Sequence, residues 1–197
     1  MRIIRGETVP KPEKYTGFIV IGDGIHDEKI MKALFRRFND KKFVLMPQDR
    51  PSLKLIGSID IAAELIGRFG RDVLIVIDRE HFDETQLETQ LKQKFSKVEL
   101  MHKDGAFYTI NVMKGTKTAN LHIAIMGAKK SIEEVEAALI REYYGEVVKP
   151  AKEEIKSALK RHHDEKIYDL IEKLDYEKLK RTFPPSFIDF LKKWSRC

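Results

Sequence analysis

Two short acidic segments hold the residue types most suited to chemistry: Gly22-Asp23-Gly24-Ile25-His26-Asp27 and Asp78-Arg79-Glu80-His81. Each closes an apolar run, Phe18 to Ile21 for the first and Val73 to Ile77 for the second. If those runs are neighbouring strands, Asp23, Asp78 and Glu80 converge at one sheet edge. Three carboxylates crowded together repel one another unless a cation or a proton intervenes. An oxygen-only ligand set with open positions suits Mg²⁺ or Mn²⁺ better than zinc, so Asp23, Asp78 and Glu80 are the expected metal ligands. His26 and His81 each stand beside a motif carboxylate and suit proton transfer or phosphate contact. Gly24 turns the chain, and Asp27 either caps the following helix or orients groups near the metal. A third cluster, His162-His163-Asp164, is a poor metal site, because adjacent residues on a helix point about 100° apart.

The elements needed to position these groups are legible in the apolar pattern. Phe18 to Ile21 is short, β-branched and closed by glycine, as a buried strand should be. A helix is expected from Asp27 to Phe38, a strand from Phe43 to Met46, a helix from Ser58 to Phe69 capped by Ser58, and a strand from Val73 to Ile77. This βαβαβ order predicts a parallel sheet, and active groups in such sheets gather at the carboxyl ends of the strands. Further on, the pattern predicts a helix from Glu84 to Phe95 and a strand from Val98 to Met101. Phe107 to Val112 and Leu121 to Ile125 flank the turn Lys114-Gly115-Thr116-Lys117, which predicts an antiparallel hairpin at the sheet edge. Ser131 and Glu134 have capping-box spacing before a helix that runs to about Tyr144.

The tail keeps helical spacing at Ile155 and Leu159, at Ile167, Leu170, Ile171 and Leu174, and at Phe187, Phe190, Leu191 and Trp194. Asp164 and Ser186 are the expected caps, and Pro184-Pro185 breaks the chain before the last helix. The aromatic residues Phe187, Phe190 and Trp194 read as a core-facing stripe in preference to a base-stacking platform. The resulting division is a lead at 1–16, an α/β domain at 17–147 and a basic helical subdomain at 148–197.

Composition narrows the classes. A chain of 197 residues with 42% hydrophobic content builds one good core. No window reaches the roughly 18 uncharged apolar residues of a membrane span, and Met1 to Pro10 lacks a signal peptide's apolar stretch, so a cytoplasmic protein is expected. The single cysteine, Cys197, rules out an intrachain disulfide or thiolate zinc site. The net charge is +6, and from Lys149 onward 13 Lys and Arg face 9 Asp and Glu. That bias is compatible with a polyanionic partner, but on charge alone a solvated helical surface is the simpler and favoured reading. Homo-oligomerisation is left open. The 35% of charged residues also suggests the ion-pair-laced surface of heat-adapted proteins.

The two acidic segments, in this order and on these strand ends, resemble the motifs of Toprim domains, which topoisomerases, bacterial-type primases and small nucleases share. Those domains have acidic-Gly-x-x-Asp after the first strand and Asp-x-Asp after the third. Asp23-Gly24-Ile25-His26-Asp27 and Asp78-Arg79-Glu80 occupy these places, and the resemblance covers roughly Gly17 to Ile125. It implies a Toprim-like fold and Mg²⁺-dependent phosphoryl transfer on nucleic acid, RNA or DNA, in a nuclease-like protein. It also implies that Asp23 is the general acid or base. The chain departs from the pattern at Asp23, where the family usually has Glu, and at Glu80, where it has Asp. Both changes keep an oxygen ligand. Two other readings stand beside this one: a non-catalytic nucleic-acid-binding Toprim relative, and a small-molecule phosphatase or nucleotide-binding protein. Gly-Asp-Gly-Ile-His-Asp is also similar to a late motif of haloacid-dehalogenase-type phosphatases, but nothing before Gly22 supplies their Asp-x-Asp nucleophile strand.

Overall fold

The computed structural model describes residues 2–3, 17–22, 25–39, 43–47, 54–129, 131–163 and 166–194, with side chains left out of the description at 2–3, 25–27, 39 and 43–47. Apolar runs become strands in chain order: β1 (Arg2–Ile3), β2 (Gly17–Ile21), β3 (Phe43–Pro47), β4 (Asp72–Asp78), β5 (Lys97–Asp104), β6 (Phe107–Lys114) and β7 (Lys117–Met126). They form one mixed sheet in the order β1-β3-β2-β4-β7-β6-β5. The pairs from β1 to β7 are parallel and the last two are antiparallel.

The helices are α1 (Ile25–Asn39), α2 (Lys54–Phe69), α3 (Glu84–Lys94), α4 (Ile132–Tyr144), α5 (Lys152–Arg161), α6 (Ile167–Lys173), α7 (Tyr176–Thr182) and α8 (Pro185–Trp194). They cover both sheet faces, and the period-two alternation of the strands sorts the core accordingly. Phe18, Val20, Val73, Ile75, Ile77, Leu121 and Ile123 pack with α2 and α3. Ile19, Ile21, Leu74, Val76, Ala124 and Met126 pack with α1, α4 and the tail. Asp78 continues the register of Leu74 and Val76, which places it on the α1, α4 and tail side.

The expected adjacency holds: β2 pairs in parallel with β4, Phe18 beside Val73 and Ile21 beside Val76. Several local expectations do not. The β6–β7 hairpin forms, with Gly115 and Thr116 between paired Lys114 and Lys117, but it is not the sheet edge. Its second strand pairs in parallel with β4, and β5 takes the edge. Ser58 does not cap α2; the helix begins at Lys54, a full turn earlier, and Ser58 is buried on its inner face. Leu55 and Ile59 bury on that face too, so the amphipathic stripe extends back past the serine. The capping box of α4 is also absent. Ser131 makes no side-chain cap bond and instead donates to Glu133 Oε2 at 2.5 Å, while Glu134 Oε2 accepts from Ala128 N and from Lys129 N, the latter at 2.8 Å. Glu134 therefore ties down the loop that enters the helix.

In the tail, α7 is a separate helix capped by Asp175, whose Oδ1 accepts from Lys178 N at 2.8 Å. Ser186 lies inside α8, where its hydroxyl bonds Asp104, and the Asp164 cap falls outside the described residues. Pro185 opens α8, a position where its missing N–H costs nothing. The tail has no core of its own. Leu170, Leu179, Phe187, Leu191 and Trp194 bury in the same cluster as Phe35, Leu139 and Ile19. Arg37 of α1 donates to the carbonyls of Ile171 and Glu172 at 2.9 and 2.6 Å, satisfying acceptors that the end of α6 leaves open. The boundary expected at 147/148 thus runs through continuous packing. The stripe expected from Phe187, Phe190 and Trp194 does face the core, with Phe187 and Trp194 buried and Phe190 packed against the cluster.

Candidate functional site

Backbone pairing brings Gly22, which opens the first acidic segment, to the same edge as Asp78. Beyond the last strand pair, Gly22 N donates to Val76 O at 2.9 Å, so β2 stays hydrogen-bonded to β4 until one residue before Asp23. Both strands run the same way, and their carboxyl ends emerge together. Gly22 is buried where a side chain would not fit: a Cβ there would lie 2.9 Å from Ser58 Oγ. That hydroxyl is fully buried and has no hydrogen-bond partner among the described residues. Sequence reading missed Ser58 in this place, because the same residue type is a common helix cap and only the packing of α2 turns it inward.

Asp78 is the last residue of β4, is 7% exposed and pairs with Met126 of β7. From it the chain enters a single 3₁₀ turn, Arg79–His81, for which Asp78 makes no side-chain cap bond. Glu80 is exposed and His81 half-buried on that turn, with His81 Nε2 3.9 Å from Glu80 Oε1. Asp23 and Gly24 fall outside the described residues. His26 and Asp27 lie in the first turn of α1, which begins at the same edge, and their side chains are not described. Among the described residues, no three His, Cys, Asp or Glu side chains are grouped closely enough to hold a metal ion. The expected trio depends on Asp23.

Two basic features adjoin this edge. Arg79 Nη2 donates to Gly105 O at 3.2 Å, while its Nε is buried with no hydrogen-bond partner among the described residues. Arg79 lines a cavity of ≈ 290 Å³ together with Gly127, Glu134, Arg181 and Pro184, where α4 and the α7–α8 junction meet the sheet edge. Gly127 adopts φ +77°, and a Cβ there would collide with Ser131 O at 2.4 Å, so this tight turn requires glycine. On the other side of α4, a groove of ≈ 650 Å³ between α1, α5 and α6 is lined by five lysines. Neither feature was legible in the sequence, because each is assembled from residues far apart along the chain.

Of the cluster His162-His163-Asp164, the aspartate lies outside the described residues. His162 stacks on Tyr144 at 3.7 Å between ring centres and places Nε2 2.9 Å from Glu146 Oε2, a structural contact that holds the end of α5 on α4.

Fold and site together define an α/β protein with a mixed sheet, helices on both faces and an acidic residue buried at the carboxyl edge of a central strand. No protein-family model, curated protein or solved structure matches the chain. No helix among the described residues is long and apolar enough to cross a membrane.

Proposed function

We propose that this protein is a Toprim-like, Mg²⁺-dependent phosphoryl-transfer protein that acts on nucleic acid with nuclease-like chemistry. The observation that supports this reading is the parallel adjacency of β2 and β4, which brings Gly22, the residue before Asp23, to the same sheet edge as Asp78. Asp78, Glu80 and Asp23 are the metal ligands in this reading. Their hard carboxylate oxygens fit Mg²⁺ or Mn²⁺, which when bound would stabilise charge developing on a phosphate. Asp23 serves as general acid or base, and His26 and His81 contact phosphate or shuttle a proton.

Asp78→Asn keeps the side chain's shape and removes one negative charge. It should lower Mn²⁺ affinity in calorimetric titration by at least about tenfold, a loss of about 1.4 kcal/mol of binding. Cleavage of mixed RNA and DNA substrates should fall with it, while the metal-free melting temperature holds or rises as like-charge repulsion is relieved. Wild-type protein that takes up no divalent ion at millimolar concentration overturns the metal-dependent reading. A second reading, a non-catalytic nucleic-acid binder, then replaces it.

A further inference from the structure

The groove between α1, α4, α5 and α6 is lined by Lys29, Lys152, Lys156, Lys160 and Lys166, against a single acidic residue, Glu136. Lys152, Lys156 and Lys160 follow one another at four-residue spacing along α5. With a rise of 1.5 Å per residue, that spacing sets their Cα atoms about 6 Å apart in a gently winding row. A step of this size matches the separation of neighbouring phosphates along a nucleic-acid strand. Lys29 and Lys166 close the row from α1 and from the start of α6.

Little among the described residues neutralises this rim. Lys156 Nζ lies 3.0 Å from Glu153 Oε1 and Lys152 Nζ 3.5 Å from Glu133 Oε1, with the two lysine side chains 66% and 71% exposed. Exposed pairs of this kind contribute about 0–1 kcal/mol and give way readily to a stronger anion. Lys29 and Lys160 have no acidic partner among the described residues. The groove floor is apolar: Ile30, Ile155 and Ile167 are no more than 5% exposed, and Leu159 beside them is half-buried. What distinguishes the groove is the line of ammonium groups along its rim, with one aromatic ring, Tyr168, beside them.

Its placement adds direction. α1 and α4 both start at the carboxyl edge of the sheet, and Lys29 and Glu136 stand in their first turns and a half. The groove thus opens near that edge on the α1, α4 and tail side, the side on which Asp78 falls. We propose that this groove docks the phosphodiester backbone of a single nucleic-acid strand and leads it toward the Asp78 edge. The strand's delivery to a reactive centre rests on the function proposed above; its docking rests on the groove alone.

Fluorescence anisotropy of a labelled oligo(U) or oligo(dT) 15-mer, titrated with the full-length protein in EDTA at several NaCl concentrations, tests the docking. Five lysine contacts to a single strand predict a log–log salt slope of about −3.5, at about 0.7 per phosphate neutralised. The triple variant Lys152→Gln, Lys156→Gln, Lys160→Gln should bind on the order of tenfold to a hundredfold more weakly, with the slope flattened by about 2. Lys92→Gln, on α3 at the opposite face, should change nothing. Unchanged affinity and slope in a folded triple variant overturn the proposal, as does equal competition by poly-glutamate of matched charge, which would make the groove a site for acidic protein. The two proposals fail separately. A triple variant that loses binding while wild type binds no divalent ion leaves docking and removes catalysis; wild-type cleavage with unaltered binding by the triple variant does the reverse.

Discussion

Asp72 illustrates what one residue contributes at the opposite, amino edge of the sheet. It opens β4, and its Oδ1 accepts from Asn120 N of β7 at 2.8 Å. His122 Nε2 stands 3.9 Å from Oδ2, an electrostatic distance and too long for a hydrogen bond. Burial alone raises the Asp72 carboxyl, but His122 and Asn120 outweigh it and hold the group below the ordinary aspartate value of 3.8. A lowered native pKa adds stability that is complete above the unfolded value and is lost as pH falls through the native one. Asp72→Asn should therefore cost about 1 kcal/mol near neutral pH. The gap from wild type should close below pH 3.8, where the wild-type carboxylate takes up its proton. Urea denaturation at pH 7 and pH 3 measures both; a gap that stays constant with pH contradicts the linkage.

Among the elements, α8 does most to join the tail to the sheet. Phe187 is fully buried, edge-on to Phe35 of α1 at 6.3 Å and against Phe107 of β6 at 6.2 Å. Trp194, at the end of the same helix, lies over the start of β2, so close that a Cβ on Gly17 would meet its Cζ2 at 2.5 Å. Removing the Phe187 ring leaves a cavity among groups held by three elements. Phe187→Ala should cost about 3–5 kcal/mol, a large share of a small domain's stability. Trp194 is the only tryptophan, so its emission reports α8 docking directly. It should shift to the red at a lower urea concentration in the variant, and coincident far-ultraviolet loss would show that α8 unfolds with the sheet.

Across the whole molecule, the tail and the α1–α4 face share one hydrophobic cluster. Deleting residues 149–197 uncovers Ile19, Phe35, Leu139 and their neighbours, an apolar surface far beyond what a monomer tolerates in water. The truncated chain is expected to be insoluble, or soluble only as an aggregate without a cooperative melt. Size-exclusion chromatography and calorimetry decide this; a monomeric truncation product with a sharp transition would mean that the two parts fold separately. The charge of the tail is consequently best tested by lysine substitutions on an intact chain.

Reading the residues alone placed the buried strands Phe18 to Ile21 and Val73 to Ile77, the alternation of strand and helix up to β4, the helical tail and the inward aromatic face of α8. In each case the local apolar period was enough, because a strand or amphipathic helix announces which side it buries. The adjacency of β2 and β4 was also foreseen, since two acidic strand ends had a reason to meet. Tertiary structure alone decided the rest. Ser58 is a buried hydroxyl because α2 starts a turn earlier than its serine suggests, and β7 sits inside the sheet because a parallel pairing with β4 competes for its second edge. The tail shares the main core because Phe187 and Trp194 find partners more than 70 residues away, a relation that no local period encodes. The lysine groove gathers Lys29 with four lysines from 152 onward for the same reason: only packing brings helices from opposite ends of the chain side by side.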